Sequence, residues 1–382
     1  MKKNKQKSKV KVKPQTENNK IWQKISVFLI FAFIFVLNNN KIESNDTFWG
    51  LKMGQWMVEN KKLITEELFA ASILGKPFVA YQWLSQVIFY YIADTNGIML
   101  SISKMLAMLL GSYYIGKYFA KKYWNGALTY TILMAASFLI AFRAQVRAHL
   151  FGLWFSAILI YFLEKWRENP KFKVFIIPLI LQVFWANTHG SFFLAPCLVL
   201  FFACSMLAGQ LFKFLPEDKR NVLPFDHTKQ LFIFAGALFL VSFINPFGFA
   251  LLKKSILMFF THNYMREYIR EWHSIISLPP GNWYILWFSW MFFAFFAFIK
   301  ARKKLVLRDI LVLALAFIFP FTGVRYVTFS AILSLPLLLR YSNILWPTRF
   351  NPKKMVFIFL PITLLIGYLG YPQSYEEFRK VG

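Results

Sequence analysis

Tyr81–Ala93, which reads YQWLSQVIFYYIA, decides how the rest of the chain is arranged. It is apolar, yet it has only 13 residues. As a helix it would cover about 20 Å, against a hydrocarbon core of about 30 Å. If it crossed a bilayer, every basic cluster after it would face outward. If it lies in the interface, or enters and returns, those clusters face the cytoplasm. The positive-inside rule selects the second arrangement. The clusters concerned include Lys117, Lys121 and Lys122, then Lys165, Arg167, Lys171 and Lys173, then Lys213, Lys219, Arg220 and Lys229. Further on come Lys300, Arg302, Lys303, Lys304 and Arg308, then Arg340, Arg349, Lys353 and Lys354. About two thirds of the basic residues then lie inside.

Composition leads to the same class. The 382 residues are 58% hydrophobic, 20% aromatic and 16% charged, with a mean hydropathy of +0.47. An ordinary soluble domain is about 45–50% apolar and about 25% charged. Disordered chains lack apolar residues, so that class is excluded. A soluble enzyme is excluded because the apolar residues come in long blocks, such as Ile21–Leu37, Trp124–Phe142, Ser191–Phe212 and Asn282–Ile299. The fold expected is an all-α polytopic membrane protein of about eleven transmembrane helices. The spans are placed at about 21–38, 97–119, 124–142, 148–164, 174–188, 191–212, 230–246, 282–300, 309–323, 326–340 and 355–370. Residues 1–20 form a basic disordered cytoplasmic tail, and 21–382 form one transmembrane domain with outer loops at about 39–96 and 247–281. No small-residue cleavage site follows Leu37, so the first span is not expected to be a removed signal peptide.

The net charge of +27 could suggest nucleic acid, but its placement between apolar blocks assigns it to topology. Nucleic acid is not expected as a partner, whereas anionic membrane lipids are. Cys197 and Cys204 are seven residues apart on one expected helix, about 10 Å and beyond disulfide reach. There is no Walker A loop, no Gly-x-Gly-x-x-Gly and no His-Glu-x-x-His.

This topology places the unusual polar residues at span ends on one outer face. They are Asp46; Arg143, Arg147 and His149; Asn187 and His189; Asn245; Glu267, Glu271 and His273; and Arg325 and Tyr326. Ionisable groups at membrane depth cost about 2.5–3.5 kcal/mol on insertion scales and by default mark function. Asp46 reads either as a carboxylate that activates an acceptor or holds a metal, or as a helix N-cap. Arg143 and Arg147 would share a helix face and either bracket a phosphate or snorkel to headgroups. His189, with Asn187, is either an acid–base group or a polar helix end. Glu271 reads as a second carboxylate facing Asp46, or as part of a solvated loop helix anchored by Trp272. Arg325 either meets a phosphate or marks a boundary, and Asn245-Pro246 with Gly248 reads first as a helix stop.

The outer loops carry helical signals of their own. Asp46–Met57 spaces Phe48, Trp49, Met53, Trp56 and Met57 for an interfacial amphipathic helix. Thr65 is expected to cap a second short helix with Glu66 and Glu67 in its first turn. A third is expected over Tyr264–His273, ending before Pro279-Pro280-Gly281.

Together these residues resemble the polytopic GT-C glycosyltransferases. The likeness rests on the early acid Asp46, the interfacial helices of the first loop, the short stretch Phe78–Ala93 and the arginine-bearing loop Arg143–His149. Trp185–Gly190, Asn245–Gly248 and Glu271-Trp272 also look like segments of uncharacterised bacterial members. The chain departs from the better-known pattern in having no acid near Arg143 or Arg147. The resemblance implies transfer of a sugar from a polyprenyl-phosphate donor to a glycan, lipid or protein acceptor outside a bacterial membrane. Asp46 would be the base, Glu271 or His189 would orient the acceptor, and Arg143, Arg147 and Arg325 would stabilise the departing phosphate. Asn187, Asn245, His149 and Tyr326 would complete the site. No cofactor is certain, and a divalent metal is left open. A transporter or flippase of lipid-linked sugars, with Lys104 as its main residue, and an O-antigen-type polymerase or ligase are the rival readings.

Overall fold

The computed structural model describes residues 17–38, 44–93, 98–123, 127–141, 145–212, 224–260, 267–277 and 282–345, and 353–365 except 355 and 359. Among the described residues the chain is all-α and has no strand. The helices are α1 (Glu17–Leu37), α2 (Asn45–Asn60), α3 (Trp83–Ile92), α4 (Ile98–Tyr123), α5 (Ala127–Ala141), α6 (His149–Glu168) and α7 (Ile176–Thr188). They continue with α8 (Leu194–Leu211), α9 (Phe225–Val241), α10 (Phe249–Phe260), α11 (Asn282–Ala301), α12 (Leu307–Thr322) and α13 (Val327–Leu345). Ten of the eleven expected spans carry a helix, and the eleventh is helical through its described residues to 365. Two stretches, Gly190–Leu211 and Tyr284–Ala301, are long and apolar enough by length and composition to cross a membrane.

α13 lies at the centre. It packs on α5, α11 and α12 and is buried from Val327 to Leu339 all round, as a helix with no polar face must be. Its hydroxyls answer neighbouring indoles. Trp287 Nε1 donates to Ser330 at 3.1 Å and Trp290 Nε1 donates to Ser334 at 2.8 Å. A buried indole needs such an acceptor. The outside of the bundle is apolar instead. Ile176, Ile180 and Phe184, spaced four residues apart along α7, are each at least half exposed. Phe292 and Ile299 on α11 are more exposed still.

α3 has ten residues and covers about 15 Å, half the thickness of a bilayer core. It packs along α2 rather than continuing into α4. The crossing is tight at Gly54, where a Cβ would fall 2.2 Å from the carbonyl oxygen of Gln86. Only glycine lets the backbones come this close.

Three local expectations are corrected. Thr65 caps no helix. Residues 65–78 fold back as a loop, with an isolated bridge between Glu66 and Pro77 and a 3-10 turn at Ala71–Ile73. The Glu67 carboxylate accepts the amides of Phe69 at 3.0 Å and Ala70 at 3.1 Å, which serves this turn rather than a helix. The helix expected over Tyr264–His273 does not run its length either: of its described residues only Glu267 and Tyr268 are α-helical. Ile269 is extended, and a 3-10 turn spans Arg270–Trp272, so Glu267 and Glu271 do not share a helical face. Finally, of the expected disordered tail 1–20, residues 17–20 open α1 and 1–16 lie outside the described residues. The stop at Pro279-Pro280-Gly281 also lies outside them.

The long helices end in two charged clusters. At one end α6, α12 and α13 bring together Glu164, Arg308, Asp309, Arg340 and Tyr341. The Asp309 carboxylate accepts from Arg340 at 2.7 Å and from Tyr341 at 2.6 Å, and Arg167 meets Glu164 at 2.9 Å. The Glu164 and Asp309 side chains are 4% and 1% exposed. The other end of α6 begins at His149, about 22 Å away along the helix. There the chain opens into a cavity.

Candidate functional site

The cavity has a volume of about 820 Å³ and gathers residues from widely separated segments. Asp46 comes from the start of α2, and Arg147 and His149 from the turn into α6. His189 follows α7, Lys253 and Lys254 sit on α10, Glu271 and Trp272 on the 3-10 turn, and Arg325 beyond α12.

α2 is seated at its first turn. Thr47 Oγ1 donates to the Val146 carbonyl at 2.6 Å, which pins the helix start to the segment before α6. Ser44, not Asp46, occupies the N-cap position, and its hydroxyl accepts from Arg147 Nε instead of capping. Asp46 is in the first turn, where the amino-terminal helix dipole favours a carboxylate. Its side chain is 70% exposed at the cavity mouth.

The charges alternate along one line. Arg147 Nη1 lies 3.1 Å from Asp46 and 3.6 Å from Glu271, and Arg325 Nη1 lies 3.6 Å from the other Glu271 oxygen. The Arg325 guanidinium stacks 4.0 Å above the buried Trp272 ring. A backbone bond from Val324 N–H to the His273 carbonyl, 2.8 Å, fixes the two segments side by side. The arginines therefore bridge carboxylates, and each holds Glu271 from one side.

His189 borders both this cavity and a smaller one of about 140 Å³ behind it. Trp185 Nε1 donates to Ser191 Oγ at 3.1 Å, and that hydroxyl lies 2.6 Å from His189 Nδ1. The Ser191 backbone N–H also points at Nδ1, at 3.2 Å. Nδ1 is thus an acceptor, and the neutral ring carries its proton on Nε2. Gly152 on α6 makes room for this arrangement, since a Cβ there would fall 2.7 Å from Ser191 Oγ and 3.4 Å from Nδ1.

Asp46, Arg147, His149, His189, Glu271 and Arg325 all border the large cavity, and Tyr326 borders the small one. Arg143 lies outside the described residues. Asn187 and Asn245 border neither cavity, and Asn245 instead fits its first reading as part of a helix stop. Asn187 accepts from Trp83 Nε1 at 3.0 Å and donates to the carbonyls of Val183 and Ile244, so it fastens α3 to α7 and to the end of α9. Asn245 accepts the Phe247 amide and donates to the Ser242 carbonyl, which closes the turn into α10. Both are framework, because a buried amide goes where its four hydrogen-bonding positions can be met.

Lys253, Lys254 and Tyr81 were not singled out in the sequence. Two adjacent lysines in an outer loop, against the positive-inside trend, were the available signal for the first two. Lys254 stacks 4.6 Å from the Phe78 ring centre and 5.3 Å from that of Tyr81. Burial lowers its pKa, while Glu67 opposes the shift. Tyr81 borders both cavities. Burial raises its pKa; Arg325 pulls it back, and Asp46 and Glu271 raise it further, so the phenol keeps its proton.

The large cavity is bordered by four Lys and Arg residues and two acidic ones, a lining that favours anions. Among the described residues no group of three or more His, Cys, Asp and Glu side chains could hold a metal ion. The described residues thus offer no such set for the divalent metal left open above. No protein-family model and no curated protein matches the chain.

Proposed function

We propose that the chain is a multi-pass protein of a bacterial cell membrane, with the cavity on its outer face. We read it as a GT-C-type glycosyltransferase that moves a sugar from a polyprenyl-phosphate donor to a glycan, lipid or protein acceptor. Two features support the membrane reading: the exposed apolar stripes of α7 and α11, and long apolar helices whose charges, Lys104 apart, gather toward their ends. In water such stripes would be costly, whereas in lipid they meet a solvent of their own kind. One observation carries the enzymatic reading. Asp46, Arg147, His189, Glu271 and Arg325, far apart in sequence, converge on one basic cavity.

In this reading Asp46 takes the proton of an acceptor hydroxyl. The acceptor oxygen bonds to the anomeric carbon as the bond from that carbon to the phosphate oxygen breaks. The electron pair leaves with the phosphate, and positive charge builds on the sugar ring in an oxocarbenium-like transition state. Arg147 holds Asp46 in place, and the basic lining takes up the charge left on the phosphate. His189, donating from Nε2, and Glu271 orient hydroxyls.

The test is transfer by the full chain in liposomes, supplied with polyprenyl-phosphate sugars and an acceptor extract. Product should form with at least one donor and be lost in Asp46→Asn. Product formation unaffected by Asp46→Asn removes the base assignment. A flippase reading draws on Lys104, which is buried on α4. Donor translocation lost in Lys104→Met, with no covalent product from the unmodified chain, would establish that reading instead.

A further inference from the structure

On α10 three consecutive residues, Lys253, Lys254 and Ser255, face the two compartments in turn. Lys253 and Lys254 border the large cavity, and Ser255 borders the small one. Among the described residues no carboxylate lies within ion-pair distance of either lysine, whereas Arg147 and Arg325 are both paired with acids. The surplus positive charge of the cavity therefore sits on α10. The Lys254 ammonium is held over two rings, and among the described residues its oxygen partner is the Val79 carbonyl at 3.4 Å. Ser255 adds an independent observation. The residue is 5% exposed, and among the described residues its hydroxyl has no hydrogen-bond partner. A buried hydroxyl without a partner, beside a cavity whose wall is mostly apolar, is a position waiting for one. Around it are the His189–Ser191 pair, Tyr81 and Tyr326, an aromatic and hydroxyl-rich wall without a carboxylate, and Arg325, already paired with Glu271, borders it too.

We propose that α10 reads the junction between phosphate and sugar, with Lys253 and Lys254 seating a lipid-borne phosphate and Ser255 bonding a hydroxyl of a neutral sugar ring in the small cavity. The inference rests on the transfer reading and moves the phosphate seat from the arginines to the lysines. The arginines then hold the carboxylates in register. It also gives the two compartments separate tasks, one for charge and one for the ring.

The experiment is equilibrium binding by tryptophan fluorescence to the purified full chain in a detergent without sugar groups. The probes are farnesyl phosphate, farnesol, inorganic phosphate and farnesyl phosphoryl-mannose. The double variant Lys253→Gln, Lys254→Gln should weaken farnesyl phosphate at least about tenfold and farnesol less than about twofold. Ser255→Ala should leave farnesyl phosphate unchanged and weaken farnesyl phosphoryl-mannose about three- to tenfold. Unchanged farnesyl phosphate binding in the lysine variant overturns the proposal, as does equal loss of farnesol. Inorganic phosphate that competes as strongly as farnesyl phosphate itself binds would mean a free anion, and overturns the lipid-borne seat. Failure here and failure of the transfer reading are separable. Binding of this pattern without any product would leave the seat standing, and full transfer by the lysine variant at unchanged KM would leave the transfer reading standing.

Discussion

The two ends of α6 carry the same kinds of side chain in opposite states. At the closed end, Glu164 and Asp309 are almost fully buried and are met by Arg308, Arg340 and Tyr341. At the cavity end, Arg147 and Arg325 stand 3.1–3.6 Å from Asp46 and Glu271, with every partner partly exposed. Burial makes the difference. Charges taken out of water must be fully paired, so the closed end is bound up in its own contacts. Charges left beside a cavity can be weakly paired and remain able to meet something else.

Removing one partner at each end tests this contrast most strongly. Asp309→Ala leaves Arg308 and Arg340 without that carboxylate in an apolar setting and should destabilise the fold by about 3–5 kcal/mol. Asp46→Ala, at an exposed pair, should cost less than about 1 kcal/mol. Denaturant titration in mixed micelles measures both, and equal losses would erase the distinction. Activity should respond in the reverse order. Asp46→Asn should lower transfer about 10²–10⁴-fold, the range for loss of a general base, as measured by product formation in liposomes.

A smaller effect is expected at Gly152. Ala there presses on Ser191 Oγ and His189 Nδ1 and should cost about 1–3 kcal/mol. The fluorescence of the nearby Trp185, which bonds to Ser191, should change with it. The smallest effect concerns pH. Burial lowers the Lys254 pKa, so between that value and the ordinary lysine value the unfolded chain holds more protons than the folded one. Stability should therefore rise slightly with pH across that window. Farnesyl phosphate affinity should fall across it, as the ammonium that seats the phosphate loses its proton. Affinity that stays flat until the ordinary lysine range would show that Lys254 is not the group involved.

The cavity end of this contrast is legible in the sequence and the buried cluster at the closed end is not, since Arg308 and Arg340 read there only as topology charges. Long apolar runs between basic clusters specify helices whatever they pack against, which is why the expected spans carry helices. The shortness of Tyr81–Ala93 correctly separated α3 from the long helices. The gathering of Asp46, Arg147, His149, His189, Glu271 and Arg325 came from placing loops on one side. Partners separated by a hundred residues were not legible. Nothing near Asn187 says that its acceptor oxygen faces Trp83, or that Ser44 takes Arg147 rather than capping its own helix. Spacing also misled at Glu67 and Glu271, since a 3-10 turn and a helix begin with the same residues and part only where the chain runs on past the first turn. Lys253 and Lys254 were counted for topology because charge was being summed there, not placed.

The contact at Gly54 has a mechanical consequence. With the α2 backbone against the Gln86 carbonyl, α2 and α3 leave no room between them for even a methyl group. Asp46 rides in the first turn of one helix, and Tyr81 stands just ahead of the other. The close crossing thus holds carboxylate and phenol at the starts of two helices packed backbone to backbone. The distance between those two helices, and so between the two sides of the cavity, is set by the absence of a single carbon atom.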